Sequence, residues 1–311
     1  MCYSAEVWAS YREYVREFGA VLDIHAFALL YGHRKIGAKL KVPKGMDMAF
    51  AEPTTDLERD IHDAIDDWNN QQISKFEQEI FKQKKRLNDA ERSLQTKETK
   101  KARDDVRIAG NKIEQNKEWL SDIKRPEIIP AKDCRIFPMS YCPVLISENG
   151  KRVVRPMRYL LRPPGAPPSF DTDPKRNGTY NARRDNLTKF WRKQFGYTHG
   201  LIVANTFYEN VEDEQGKKSV LKFTPRTGEP MLIACLWAHW TGEGEDDLYS
   251  FAAITDDPEP EVAAAGHDRT IINIKPEHID AWLNPDPNNL EALFAIFDDK
   301  RHPYYEHRLA A

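Results

Sequence analysis

The sequence predicts an α+β fold: a mostly antiparallel, barrel-like β-sheet core with flanking helices, plus an inserted long antiparallel helical hairpin. Three observations predict it. Residues 56–125 contain no proline and one glycine, Gly110, and carry sixteen basic and sixteen acidic residues. After residue 126 the chain becomes short apolar runs bounded by Pro and Gly, the pattern of strands. Residues 4–31 place aromatic and aliphatic side chains at helical spacing.

Taken in order, Trp8, Tyr11, Tyr14, Val15 and Phe18, then Phe27, Leu29 and Leu30, read as a helix pair over 4–31. In 56–125, Leu57, Ile61, Ile65 and Trp68 fall at helical spacing, and Ile73, Phe76, Ile80, Leu87 and Leu94 continue it. A polar stretch near Thr96–Lys100 intervenes, after which Val106, Ile113 and Leu120 repeat every seven residues. This is the pattern of two long helices meeting along a narrow seam, with Pro126 closing the second. Expected strands are Arg135–Phe137, Val144–Ser147, Arg152–Leu161, Leu201–Phe207, Leu221–Phe223, Met231–Trp240 and Leu248–Thr255, with a strand-like Ile271–Ile274. Asp185–Phe195 and Pro276–Leu283 read as helices. The organisation expected is one domain, 1–55 with 126–311, interrupted by the hairpin at 56–125.

Composition narrows the class. With 311 residues and 40% hydrophobic side chains, the chain can build a core and is not wholly disordered. Its uncharged apolar runs, such as Ala26–Tyr31, are far short of the roughly 18 residues a membrane span needs. No basic-then-apolar leader opens the sequence. Cysteines at 2, 134, 142 and 235 form neither a disulfide framework nor a CxxC pair. The expectation is a reduced, cytoplasmic protein without membrane contact, metal or cofactor.

The net charge of −3 conceals opposed blocks. Lys151–Lys193 holds twelve Lys/Arg and three Asp, whereas Glu209–Glu261 holds thirteen Asp/Glu and four Lys/Arg. Between Asp23 and Asp47 lie five further basic residues and no acid. Such blocks either present a basic face to a polyanion or pair with each other across the fold.

Cys2 carries the sharpest chemistry. Removal of Met1 would leave an N-terminal 1,2-aminothiol, an α-amine of pKa about 7.7–8.0 beside a thiol near 8.5. Such a group condenses with an aldehyde to an imine, and its thiol closes a thiazolidine ring. An internal cysteine cannot do this. The plain alternative is an incidental cysteine at a chain end.

Further along the chain come Asn181-Ala182-Arg183 between a loop and a helix, Phe207-Tyr208-Glu209 at the end of an apolar strand, Ala234-Cys235-Leu236-Trp237, and His267-Asp268-Arg269. In this order, and anchored on Met1-Cys2, they resemble the SOS response-associated peptidase family, also called abasic-site processing proteins. The resemblance covers nearly the whole chain apart from 56–125. It implies a DNA-damage response protein that binds single-stranded DNA at an abasic site and crosslinks covalently, as a thiazolidine, to the ring-opened sugar through Cys2. AP lyase and autoproteolytic activity are implied alongside.

On that resemblance, Cys2 is the nucleophile, Glu209 moves protons, His267 shuttles a proton or stabilises an alkoxide, and Asn181 orients the reacting terminus. Each also has a plain structural reading: a surface carboxylate, a packed histidine, a helix-capping amide. Arg183, Arg158 and Arg162 would take DNA phosphates. Tyr159 and Phe170 suit base stacking or, more simply, core packing. The sequence departs from the family at Tyr3-Ser4, where many members have Gly-Arg, which removes one expected phosphate contact. It departs again at Asn210 in place of Trp, at Thr270-Ile271 in place of Met-Pro, and at Arg158-Tyr159-Leu160 in place of W-G-L. Two other readings stand beside this one: a thiol peptidase, which needs only the Cys2 sulfur, and a non-enzymatic coiled-coil adaptor whose protein partner binds the 56–125 hairpin.

Overall fold

The computed structural model describes residues 3–174, 178–212, 216 and 218–310. Strand β1 (Ser4–Val7) precedes helix α1 (Tyr11–Phe18), so the helix pair expected over 4–31 begins later than its aromatic spacing suggests. Ser10 caps α1 through the Arg12 N–H, and Gly19 ends it in the left-handed region at φ 60°. A short strand β2 (Val21–Leu22), helix α2 (Ile24–Lys35) and helix α3 (Lys44–Met48) follow.

The long helix pair is present. Helix α4 (Asp56–Thr96) has 41 residues, about 60 Å at 1.5 Å per residue, and α5 (Lys100–Lys124) returns along it. The start of α4 is a capping box. Thr55 accepts from the Glu58 N–H, and the Glu58 carboxylate returns to the Thr54 N–H and hydroxyl. Ile61, Ala64 and Ile65 root α4 in the body's core beside Tyr11, Phe27 and Phe50. Farther out the seam is thin: Ala90, Ala102, Ala109 and Ile113 are buried, Phe76 meets Trp119 at 5.3 Å, and Arg86 pairs with Asp105.

The remaining elements are α6 (Pro130–Asp133), β3 (Arg135–Ile136), β4 (Tyr141–Glu148), β5 (Lys151–Tyr159), β6 (Asn181–Arg183), β7 (His199–Glu212), β8 (Lys218–Pro225), β9 (Met231–Trp240), β10 (Leu248–Asp256), α7 (Pro260–Ala264), β11 (Thr270–Ile271), α8 (Ile279–Leu283), α9 (Leu290–Asp298) and β12 (Tyr305–Leu309). All twelve strands join one sheet, mostly antiparallel, in which β4, β5, β10, β9 and β7 close into a ring. The three parallel contacts are β10 with β5, β10 with β6 and β2 with β5. Ring strands are buried on both faces, which is why Leu201–Ala204 and Met231–Leu236 read as unbroken apolar runs. Leu145, Leu201, Val203 and Leu236 pack towards the helices, whereas Val144, Ile146, Ile202 and Cys235 belong to a second cluster. No helix among the described residues is long and apolar enough to cross a membrane.

One expected helix does not form. Asp185–Phe195 is a 3-10 turn at Arg184–Asn186 followed by further turns, with bonds such as Lys189 N–H to Asn186 O and Gln194 N–H to Trp191 O. Leu187, Trp191 and Phe195 do anchor it to the core at four-residue steps. Helical spacing there reports the anchoring, while Asn186, Thr188 and the aromatic pair Phe190-Trp191 disfavour a regular helix.

Candidate functional site

Strand β7 organises the site. Its first half lies in the ring; its second half runs on, with β1 on one side and β8 on the other. The register sets Ser4 opposite Tyr208 and Ala5 opposite Phe207, while Glu209 is opposite Leu221 of β8. Glu209 shares a face with Phe207 by strand alternation, and that face is core: Phe207 stacks on Phe223 at 4.9 Å. Its carboxylate is therefore fully buried, at 0% exposure.

The loop between α7 and β11 brings His267 against it. His267 Nε2 lies 3.2 Å from Glu209 Oε2, and Nδ1 lies 2.9 Å from the Arg269 carbonyl oxygen. A carbonyl only accepts, so Nδ1 carries a hydrogen and donates it. Nε2 is then the ring atom that faces the carboxylate, at ion-pairing distance. Burial pushes the His267 pKa below its ordinary value, partly offset by the Arg269 carbonyl. Beside the pair, Arg269 is held above its usual range, chiefly by its fork on Asp268, with Glu209 and Tyr180 adding. Asp268 is correspondingly drawn down to about 2.

Asn181 opens β6, opposite Ala253 of β10, and is buried; Tyr159 donates its hydroxyl hydrogen to Asn181 Oδ1 at 3.3 Å. Tyr159 and Phe170 are core residues, Tyr159 stacking on Phe251 at 5.1 Å. Cys2 lies outside the described residues. The three described thiols are unreactive by environment: burial raises Cys134 to about 11 and lifts Cys142 and Cys235 well above the ordinary thiol value.

The arginines expected to bind phosphate all have carboxylate partners here. Arg158 and Arg162 are buried and share one carboxylate, Asp171: Arg158 Nη1 reaches Oδ2 at 2.7 Å, and Arg162 Nε reaches Oδ1 at 3.1 Å. Burial pushes Asp171 up, but its bonds to the two guanidiniums outweigh this and leave it below the usual carboxylate range. Leu160, between the two arginines, sits at φ 146°, a strained conformation. Arg183 is partly exposed and bridges Asp185 and Asp257, each at 3.2 Å. Arg184 pairs with Asp256. The basic and acidic blocks thus pair across the β6–β10 contact, leaving Lys189, Arg192 and Lys193 exposed beside Phe190 and Tyr197.

Sequence reasoning missed Arg135. Its guanidinium lies 3.6 Å from the Tyr208 ring centre and its Nε donates to Ser4 Oγ at 3.0 Å. It missed His199 as well, buried against Trp282 with ring centres 3.8 Å apart. Neither has a sequence signal, because each is defined by partners from remote strands.

A family model described as SOS response associated peptidase (SRAP) matches residues 92–307. The chain belongs to this family. The matched range takes in Asn181, Glu209 and His267 and the second helix of the hairpin; it does not extend to Cys2. Membership makes this a DNA-damage-associated SRAP protein. Among solved structures, a protein from Bordetella bronchiseptica is 18% identical over 60% of this chain and 90% of its own, with a TM-score of 0.49. One from Bacteroides thetaiotaomicron is 15% identical over 57% and 78%, with a TM-score of 0.48. A phage-related protein from Bordetella bronchiseptica is 16% identical over 60% and 85%, with a TM-score of 0.44. No curated protein matches the chain.

Proposed function

We propose that this SRAP protein binds single-stranded DNA at an abasic site and crosslinks to it through the Cys2 aminothiol, exposed by loss of Met1. The observation that carries the reading is the buried contact of His267 with Glu209 at 3.2 Å, Glu209 lying on the strand that pairs with β1. Residue 2 is two links from Ser4, so the covalent chain limits it to about 7 Å from the Ser4 Cα. Burial holds the three described thiols, Cys142 and Cys235 fully and Cys134 partly enclosed, in the protonated form.

The chemistry follows the groups. The neutral α-amine adds to the C1′ aldehyde of the opened sugar; a proton reaches the new oxygen, and water leaves to give the imine. The Cys2 sulfur then adds to the imine carbon, its proton going to nitrogen, and closes the thiazolidine. The sum is aldehyde plus aminothiol to ring plus one water. Glu209 and His267 would deliver and recover the protons; Asn181 would orient the terminus. An imine also permits β-elimination, the basis for AP lyase activity. Exposed Lys189, Arg192 and Lys193, with Arg183, would hold the strand by its phosphates. A peptidase, including one that removes only Met1, is the reading the family's name preserves.

The test mixes Met1-processed protein with single-stranded DNA bearing one abasic site, on denaturing gels with intact mass measurement. Wild type should give a heat-stable adduct of the sum of masses less one water; Cys2→Ser and Cys2→Ala should give none. Absence of an adduct from a verified Cys2 terminus would sink the proposal. Cleavage of peptides by a chain whose α-amine is blocked would favour the peptidase.

A further inference from the structure

The half-buried guanidinium of Arg135 is set up to receive an anion. It is fixed on three sides: against the Tyr208 ring at 3.6 Å, near the Phe137 ring at 4.9 Å, and by its Nε bond to Ser4 Oγ. Among the described residues no carboxylate lies within ion-pairing distance of it. Glu6, its cross-strand neighbour, has Lys222 at 3.9 Å instead. The other arginines around the candidate site differ: Arg158 and Arg162 are bound to Asp171, Arg183 to Asp257 and Arg269 to Asp268. Burial lowers the Arg135 pKa, the mark of a cation paying desolvation without a matched acid. Tyr3, exposed and edge-on to Phe137 at 5.7 Å, walls the same spot with an aromatic ring.

We propose that Arg135 is a phosphate subsite, holding a phosphodiester oxygen of the single strand whose damaged sugar lies at the Glu209–His267 pair. It rests on the crosslinking reading for that last placement. Tyr208, which the guanidinium covers, directly precedes Glu209, and Ser4, which Nε grips, begins the strand two residues after Cys2. A stacked and pre-oriented fork loses little freedom on taking a phosphate, the usual reason arginine is used there.

The experiment measures the affinity of undamaged single-stranded DNA against salt, and in parallel the adduct yield with abasic DNA. Arg135→Ala should weaken binding roughly tenfold at low salt. It should also reduce the slope of log affinity on log salt by about 0.7, one phosphate contact. Arg135→Gln keeps a polar, planar side chain without the charge and should behave alike, so a fold defect in the alanine variant does not blunt the test. Adding Ser4→Arg to Arg135→Ala returns a guanidinium to the vacated space and should restore the slope. An unchanged slope in both Arg135 variants overturns the inference, even if wild type forms the adduct. Failure of wild type to form an adduct sinks the crosslinking reading instead, and a reduced slope would still establish the phosphate contact.

Discussion

His199 should make the fold acid-sensitive by an amount that follows from its surroundings. Its Nδ1–H donates to the Trp282 carbonyl at 2.9 Å, and its Nε2 accepts the Gly196 N–H at 2.8 Å. Both partners require the neutral ring, and a proton on Nε2 would face the Gly196 hydrogen. Burial between Trp282 and Phe195 lowers its pKa to about 3. A histidine with a depressed folded pKa binds its proton first in the unfolded chain, so stability is full above about 6.5 and falls as pH drops towards 3. Between pH 7.5 and 5.5 the unfolded imidazole goes from about one-tenth to about ten-elevenths protonated, while the folded one stays neutral. The loss is about 1.4 kcal/mol, insensitive to where below about 4.5 the folded value lies. In His199→Gln, Oε1 can still accept from Gly196, but the Trp282 carbonyl loses its donor, costing about 1–3 kcal/mol at pH 7.5. Urea unfolding of both proteins, followed by tryptophan fluorescence at the two pH values, isolates the histidine: carboxylates and His267 contribute equally to both. The variant should lose about 1.4 kcal/mol less than wild type on acidification. Equal losses would refute the argument.

On the proposed proton-transfer role of the Glu209–His267 contact, Glu209→Gln or His267→Ala should slow single-turnover adduct formation roughly a hundredfold or more, with undamaged-strand affinity little changed. Asp171→Asn leaves Arg158 and Arg162 buried without a counter-charge and should cost about 3–5 kcal/mol in urea unfolding, whereas replacing all three by apolar residues should recover most of it. Shortening the hairpin beyond its root, with Ile61 and Ile65 kept, should leave the midpoint of the body's unfolding near wild type and adduct formation intact. Loss of adduct there would shift weight to an adaptor role for the arm.

How far the sequence revealed this structure depended on whether a pattern was local. The helix pair was legible because a thin seam between two charged helices leaves a periodic trace, and Met231–Trp240 because a ring strand buried on both faces is an unbroken apolar run. Ser4–Val7 was hidden by the aromatic spacing of the helix after it, and Tyr305–Leu309, an edge strand with exposed Glu306, His307 and Arg308, carries no apolar run at all. For the site, residue types were legible and partners were not. Glu209 and His267 could be singled out by the family resemblance of their motifs, and the structure brings them to 3.2 Å. That Arg158 and Arg162 would be claimed by Asp171 depends on how the 163–174 loop folds back, which no spacing encodes.

The division of labour along β7 explains how the Glu209–His267 contact and strand β1 are held in one geometry. From His199 to Ala204 the strand is clamped between β9 and β4, with Gly200 so tightly packed that an added Cβ would lie 3.0 Å from both Cys235 Sγ and Val144 Cγ1. From Ala204 to Glu212 the same strand leaves the ring, and its edges are taken by β1 and β8. Rigidity is set in the first half and transmitted along hydrogen-bonded backbone to the second. Ser4, Tyr208 and Glu209 inherit that register. β1, which begins at Ser4, is thereby tied to the same strand that carries Glu209 to His267.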